Sequence, residues 1–163
     1  MRAGFERVTG LDDVLSHAAD LSARTLVFDV EPLVAYWDGG QEALDKGIAR
    51  VVSEVAVLSA VQVVCFATNS VRRPSVVPSQ AAVQVVYLAS ANKPVQIVVY
   101  RHFPRPGVVI GDQVATDGIL ARRLGYAFLL FDPQLTEVPP GPRLMGAWGR
   151  LVRPLLFTGP TPE

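Results

Sequence analysis

The chain has a single cysteine among its 163 residues, Cys65, set in the apolar run VQVVCFA. An intrachain disulfide is therefore impossible, and a reducing, cytoplasmic setting is the simplest expectation. An excess of one charge sign is also missing, since 15 Lys and Arg balance 15 Asp and Glu. That removes any reason to expect binding driven by bulk electrostatics, so nucleic acid is not an expected partner. No apolar run is long and clean enough to read as a membrane span. The best stretch, Val51 to Ala67, contains Glu54 and Gln62 and reads as a helix end followed by a strand. Residues 1–25 carry Asp12, Asp13 and Asp20 with no uninterrupted apolar core, unlike a signal peptide. The two histidines, His17 and His102, fall in no catalytic or metal-ligand pattern. Repeats and low-complexity blocks are absent.

What is present is a globular composition. Half of the residues are hydrophobic and 18% are charged, which suits one domain with a sizeable core. Short Val-, Ile- and Phe-rich runs at 25–30, 61–67, 82–89, 107–112 and 126–131 have strand length, and their continuous apolarity implies burial on both faces. Between the first two, Leu44, Ile48, Val51, Val52 and Val55 recur at helical spacing. QVATDGILARRLG (113–125) reads as a further helix ended by Gly125, and Leu11 to Leu21 as a short helix before the first of these strands. NSVRRPSVVPSQ carries two prolines and reads as a loop, whereas KPVQIVVYRHFPRPG fits neither helix nor strand cleanly. The alternation predicts an α/β fold, a doubly wound, Rossmann-like parallel sheet of about five strands. Residues 1–140 form the expected core domain. Residues 141–163 change character, mixing Arg143, Arg150 and Arg153 with Trp148, Leu155 and Phe157. Such a tail suits either contact with an anionic membrane surface or docking against the sheet edge or a partner subunit.

Ligands of open parallel sheets bind beyond the carboxyl ends of the strands. The polar residues there are Asp29 and Glu31, then Thr68 and Asn69, then Lys93, then Asp112 and Asp117. The set makes sense for phosphoryl transfer. A carboxylate can attack phosphorus and form an aspartyl phosphate. A hydroxyl and an ammonium can bind phosphoryl oxygens, and carboxylates can hold Mg²⁺. Taken singly, each has a plainer reading. Asp29 can be a turn or cap residue, Thr68-Asn69 an ordinary turn, Lys93 a solvated lysine, and Asp117 a carboxylate favoured by its helix macrodipole.

In order, however, LVFDVEPLVAYWDGG, FATNS, NKP and VIGDQVATDGILARRLG resemble the four motifs of the haloacid dehalogenase (HAD) superfamily of phosphatases. They look most like its small YqeG-type branch, subfamily IIIA, relatives of mitochondrial phosphatidylglycerophosphatases. The resemblance spans roughly residues 11 to 132, and GDQ with the following TD is its most specific part. It implies Asp29 as nucleophile, Glu31 in the place of the catalytic acid, and phosphate contacts from Thr68, Asn69 and Lys93. It also implies Mg²⁺ held by Asp29, Asp112 and Asp117 together with the backbone carbonyl of Glu31. No interval is long enough for a cap domain, which by analogy suits a bulky phosphorylated substrate, lipid or macromolecular. The departures cluster in the first motif, where the branch has Asp-Asn-Thr and this chain has Glu31-Pro32-Leu33. Glu31 is one methylene longer than aspartate, Pro32 lacks an N–H, and Leu33 lacks a hydroxyl. Two functions are therefore expected alternatives: a Mg²⁺-dependent phosphatase, or a weakened HAD-like domain serving binding or assembly. A two-component receiver domain fits less well, because its acidic pair ends the first strand and here it comes later.

Overall fold

The computed structural model describes residues 5–132. Six strands, β1 (Phe5–Val8), β2 (Thr25–Asp29), β3 (Val63–Ala67), β4 (Gln84–Leu88), β5 (Gly107–Gly111) and β6 (Ala127–Phe131), form one sheet in the order β1-β6-β5-β2-β3-β4. Every pairing is parallel. Three α-helices accompany it: α1 (Leu11–Asp20), α2 (Gln41–Val55) and α3 (Ile119–Leu124), with a 3₁₀ turn at Val99–His102. The fold class is as expected, but the sheet has six strands rather than five. The additional strand, β1, lies at an edge, pairing with β6 through Phe5 to Phe128 and Val8 to Phe131.

Alternation along the strands explains the two layers of cover. Leu26, Phe28, Val64, Phe66, Val108 and Ile110 cluster with Leu11, Val14 and Ala18 of α1 and Leu44, Ile48 and Val51 of α2. Val27, Cys65, Val109 and Phe128 turn the other way and cluster with Leu120, Ala121 and Leu124 of α3 and with Tyr100. All five residues of β3 and of β5 are buried, because both faces of these central strands are covered. Burial of each Val, Ile or Phe side chain among them contributes about 1.5–3 kcal/mol. Cys65 is among these residues, and burial pushes its thiol up to about 12, which makes it an inert core residue.

The expected helix over 113–125 is only partly regular. Val114–Gly118 form one wide π-type turn, and the α-helix begins at Ile119. Gly125 closes it with φ 67°, a left-handed position that a residue without Cβ adopts freely. No helix among the described residues is long and apolar enough to cross a membrane. The basic, apolar tail from residue 141, and with it the proposed domain boundary at 140, lies outside the described residues.

Strand order locates the functional edge. The chain runs outward from β2 to β3 and β4, then returns to the other side of β2 for β5 and β6. Neighbours β2 and β5 thus feed loops that leave in opposite directions, which opens a crevice beyond their carboxyl ends. Phe28 pairs with Ile110 on the last rung, so Asp29 and Asp112 leave adjacent strands at this opening.

Candidate functional site

Four ionisable groups, Asp29, Lys93, Asp112 and Asp117, meet at the switch point. Lys93 Nζ donates to Asp117 Oδ1 at 2.8 Å and lies 2.8 Å from Asp29 Oδ1. The Lys93 side chain is 2% exposed, and that of Asp117 is wholly buried. Asp29, Asp112 and Asp117 each place a carboxylate oxygen within 4.8 Å of the other two.

The backbone explains how a carboxylate reaches so deep. A Cβ on Gly111 would lie 2.3 Å from Asp117 Oδ2, so only glycine at the end of β5 leaves room for it. The wide turn at 114–118, in place of the regular helix expected there, carries Asp117 to this position. Lys93 is placed by Asn69, whose carboxamide oxygen accepts the Lys93 N–H at 2.7 Å and whose Nδ2 donates to the Lys93 carbonyl at 3.1 Å. The loops after β3 and β4 are joined further by Ala91 N–H to Thr68 O at 2.9 Å and Ser90 N–H to Ser70 O at 2.7 Å. Asn69 thus lines the cleft while its amide holds the lysine loop.

Electrostatics at the centre is unbalanced. Burial opposes the charge on Lys93, but Asp117 and Asp29 outweigh it and hold the ammonium well above its ordinary value. Burial, reinforced by the charge on Asp117, raises Asp29 well above the usual carboxylate range. Asp112 is pushed up to about 7, chiefly by burial and then by Asp117. Its Oδ1 is buried with no hydrogen-bond partner. Three carboxyl groups therefore face one ammonium in a cluster of hard oxygen donors, more acidic groups than the lysine can balance if all are ionised. This acidic cluster is able to hold a metal ion, and both the surplus of carboxyl groups and the orphaned oxygen fit a divalent cation.

Asp112 makes the stability of the fold depend on pH. Its folded value lies above its unfolded one, so the folded state binds a proton that the unfolded state has released. The resulting stabilisation is complete below about pH 4 and is lost as pH rises through about 7. Without metal, melting temperature should fall over this window, and Asp112→Asn should shrink the slope. With Mg²⁺ or Ca²⁺ the loss should diminish, because the cation occupies the site the proton vacates. Thermal melts at several pH values, with EDTA and with metal, measure this.

Glu31 points elsewhere. Its side chain is not part of the acidic cluster. Oε2 accepts from the Thr68 hydroxyl at 2.9 Å, and Oε1 accepts from Arg72 Nη1 at 3.2 Å. A carboxylate so paired accepts and does not donate, so the one hydroxyl hydrogen of Thr68 goes to Glu31. Arg72 also donates to Tyr36 O at 3.0 Å and Gly39 O at 2.6 Å, fastening the loop between β2 and α2.

The cleft has a volume of about 330 Å³ and is lined by Asp29, Glu31, Trp37, Thr68, Asn69, Ser70, Arg72, Lys93, Gln113 and Thr116. The candidate residues read from sequence thus converge, with Asp112 and Asp117 beneath the centre. Arg72, Ser70, Gln113 and Thr116 are additional. For Arg72 a signal did exist, the paired arginines that follow FATNS, but its partner lies 41 positions earlier. Comparison with protein-family models, with characterised proteins and with solved structures finds no match to this chain.

Proposed function

We propose that this chain is an uncapped, HAD-type, Mg²⁺-dependent phosphohydrolase that passes a phosphoryl group through Asp29. The observation that carries this reading is the convergence of Asp29, Asp112 and Asp117 on Lys93 at the topological switch point. Asp29 provides the attacking oxygen. As its bond to phosphorus forms, the bond to the leaving oxygen breaks, and that oxygen departs with a proton from water. A second water then attacks the aspartyl phosphate and releases phosphate. Lys93 neutralises Asp29 in the resting site and offers its ammonium to a phosphoryl oxygen, while Asp117 holds it in place. Asp29 and Asp112, with Asp117 beside them, are the residues that would hold Mg²⁺. Bound there, the metal would offset repulsion between an anionic nucleophile and an anionic phosphate. With no cap between Asp29 and Thr68, or between Thr68 and Lys93, we take a bulky phosphate ester, such as a lipid phosphate, as the substrate class.

Incubation with p-nitrophenyl phosphate or phosphatidylglycerophosphate should release phosphate in a Mg²⁺-dependent manner. Acid quenching followed by mass spectrometry should place a phosphoryl adduct on Asp29. An adduct on another residue, or turnover with none, would sink the reading.

A second reading has its own observation in support. Glu31 is salt-bridged to Arg72 and takes the Thr68 hydroxyl, so neither Glu31 nor Thr68 is poised for proton transfer or phosphate contact. On this reading the chain is a catalytically weakened binding or assembly module. Phosphate binding without adduct or turnover marks that case.

A further inference from the structure

The partners of Glu31 are themselves groups suited to an anion. A hydroxyl at 2.9 Å and a guanidinium at 3.2 Å converge on its carboxylate, inside the cleft that Lys93 also lines. That is the donor set which a phosphate-like oxyanion takes up. Both donors are held independently of Glu31. Thr68 N–H donates to Leu88 O at 3.0 Å, and Arg72 is fixed through Tyr36 O, Gly39 O and the Tyr87 hydroxyl, which donates to Arg72 O at 3.0 Å. The cradle therefore persists if the Glu31 side chain swings out.

We propose that Thr68 and Arg72 form an oxyanion subsite occupied by the carboxylate of Glu31, an internal competitor that an incoming phosphate-like group displaces. The idea rests on the phosphoryl reading of the cleft and adds to it the groups that receive the anion. Arg72 thereby becomes a binding residue, and the reach of the Glu31 side chain acquires a consequence: it places a charge where the ligand belongs.

Calorimetric titration of the full chain with inorganic phosphate tests this without requiring turnover. Glu31→Gln keeps the shape of the side chain and removes its charge, so phosphate affinity should rise on the order of tenfold. Adding Arg72→Gln should return affinity to the wild-type level or below. Binding by Glu31→Gln that is no tighter than wild type, or a gain that survives loss of Arg72, overturns the proposal. Should Glu31→Gln fail to fold, wild-type crystals soaked in phosphate decide the matter. A phosphate oxygen between Thr68 and Arg72 with Glu31 withdrawn supports it, whereas Glu31 still in place overturns it. A wild-type chain with no turnover but a tighter-binding Glu31→Gln variant defeats the phosphatase reading and leaves this one standing.

Discussion

Lys93→Met is expected to destabilise the protein by about 3–5 kcal/mol, the usual cost of removing one partner from a buried ion pair. The ammonium lies 2.8 Å from both Asp29 and Asp117, and its side chain is 2% exposed. Methionine fills much of the same space but leaves two buried carboxylates, with Asp112 nearby, facing one another without a cation. For a chain of this size the loss corresponds to a fall in melting temperature of roughly 6–20 °C. Its pH dependence identifies the cause. Asp29 is already raised by burial, and Lys93 is what lowers it. Without the lysine its value rises further, so acidification should recover part of the lost stability as Asp29 takes up a proton. Urea unfolding of both proteins at neutral and acidic pH measures this. A variant that unfolds at the wild-type midpoint would show that the ammonium does not balance the acidic centre.

Asp29→Asn is expected to act in the opposite sense on the two properties. The amide retains the shape but cannot attack phosphorus, so Mg²⁺-dependent hydrolysis should fall by ~10⁴-fold or more. Stability should hold or rise, because burial and Asp117 both work against a charge at this position. Lys93 keeps its bond to Asp117 in this variant. Loss of activity with gain of stability is the signature of a residue retained for chemistry. Turnover by Asp29→Asn equal to that of wild type would remove Asp29 as nucleophile. Read together, the two variants would separate a residue needed for the fold from one needed for turnover.

The legibility of this site in the sequence follows from how far apart the interacting residues are. β2, β3, β5 and β6 read directly as continuous apolar runs, because their burial on both faces leaves no alternation to interpret. β1 escaped the same reading. It is four residues long, and Glu6 and Arg7 are exposed at its centre, as suits an edge. The carboxylates, the lysine and the threonine could be placed together because each follows a readable strand. The tasks of Glu31 and Arg72 could not, since they depend on a pairing between two loops that no local pattern encodes. Asp117 shows a third kind of limit. Its position also allowed the plainer reading of a carboxylate favoured by the helix macrodipole, and the missing Cβ of Gly111 and the wide turn explain its place beneath Lys93.

The position of β1 also bears on how the chain is made. Its ladder is with β6, whose residues 127–131 are translated more than a hundred residues later. As the polypeptide emerges from the ribosome, β1 therefore waits without a strand partner while β2, β3 and β4 are already able to pair. The acidic centre likewise stays incomplete until Asp117 has left the exit tunnel, so until then Lys93 has Asp29 but lacks its second, wholly buried carboxylate partner. A ribosome stalled before β6 would present β1 and the outer side of β5 as open edges at once, the state most exposed to misassembly and the one in which chaperone capture would be strongest.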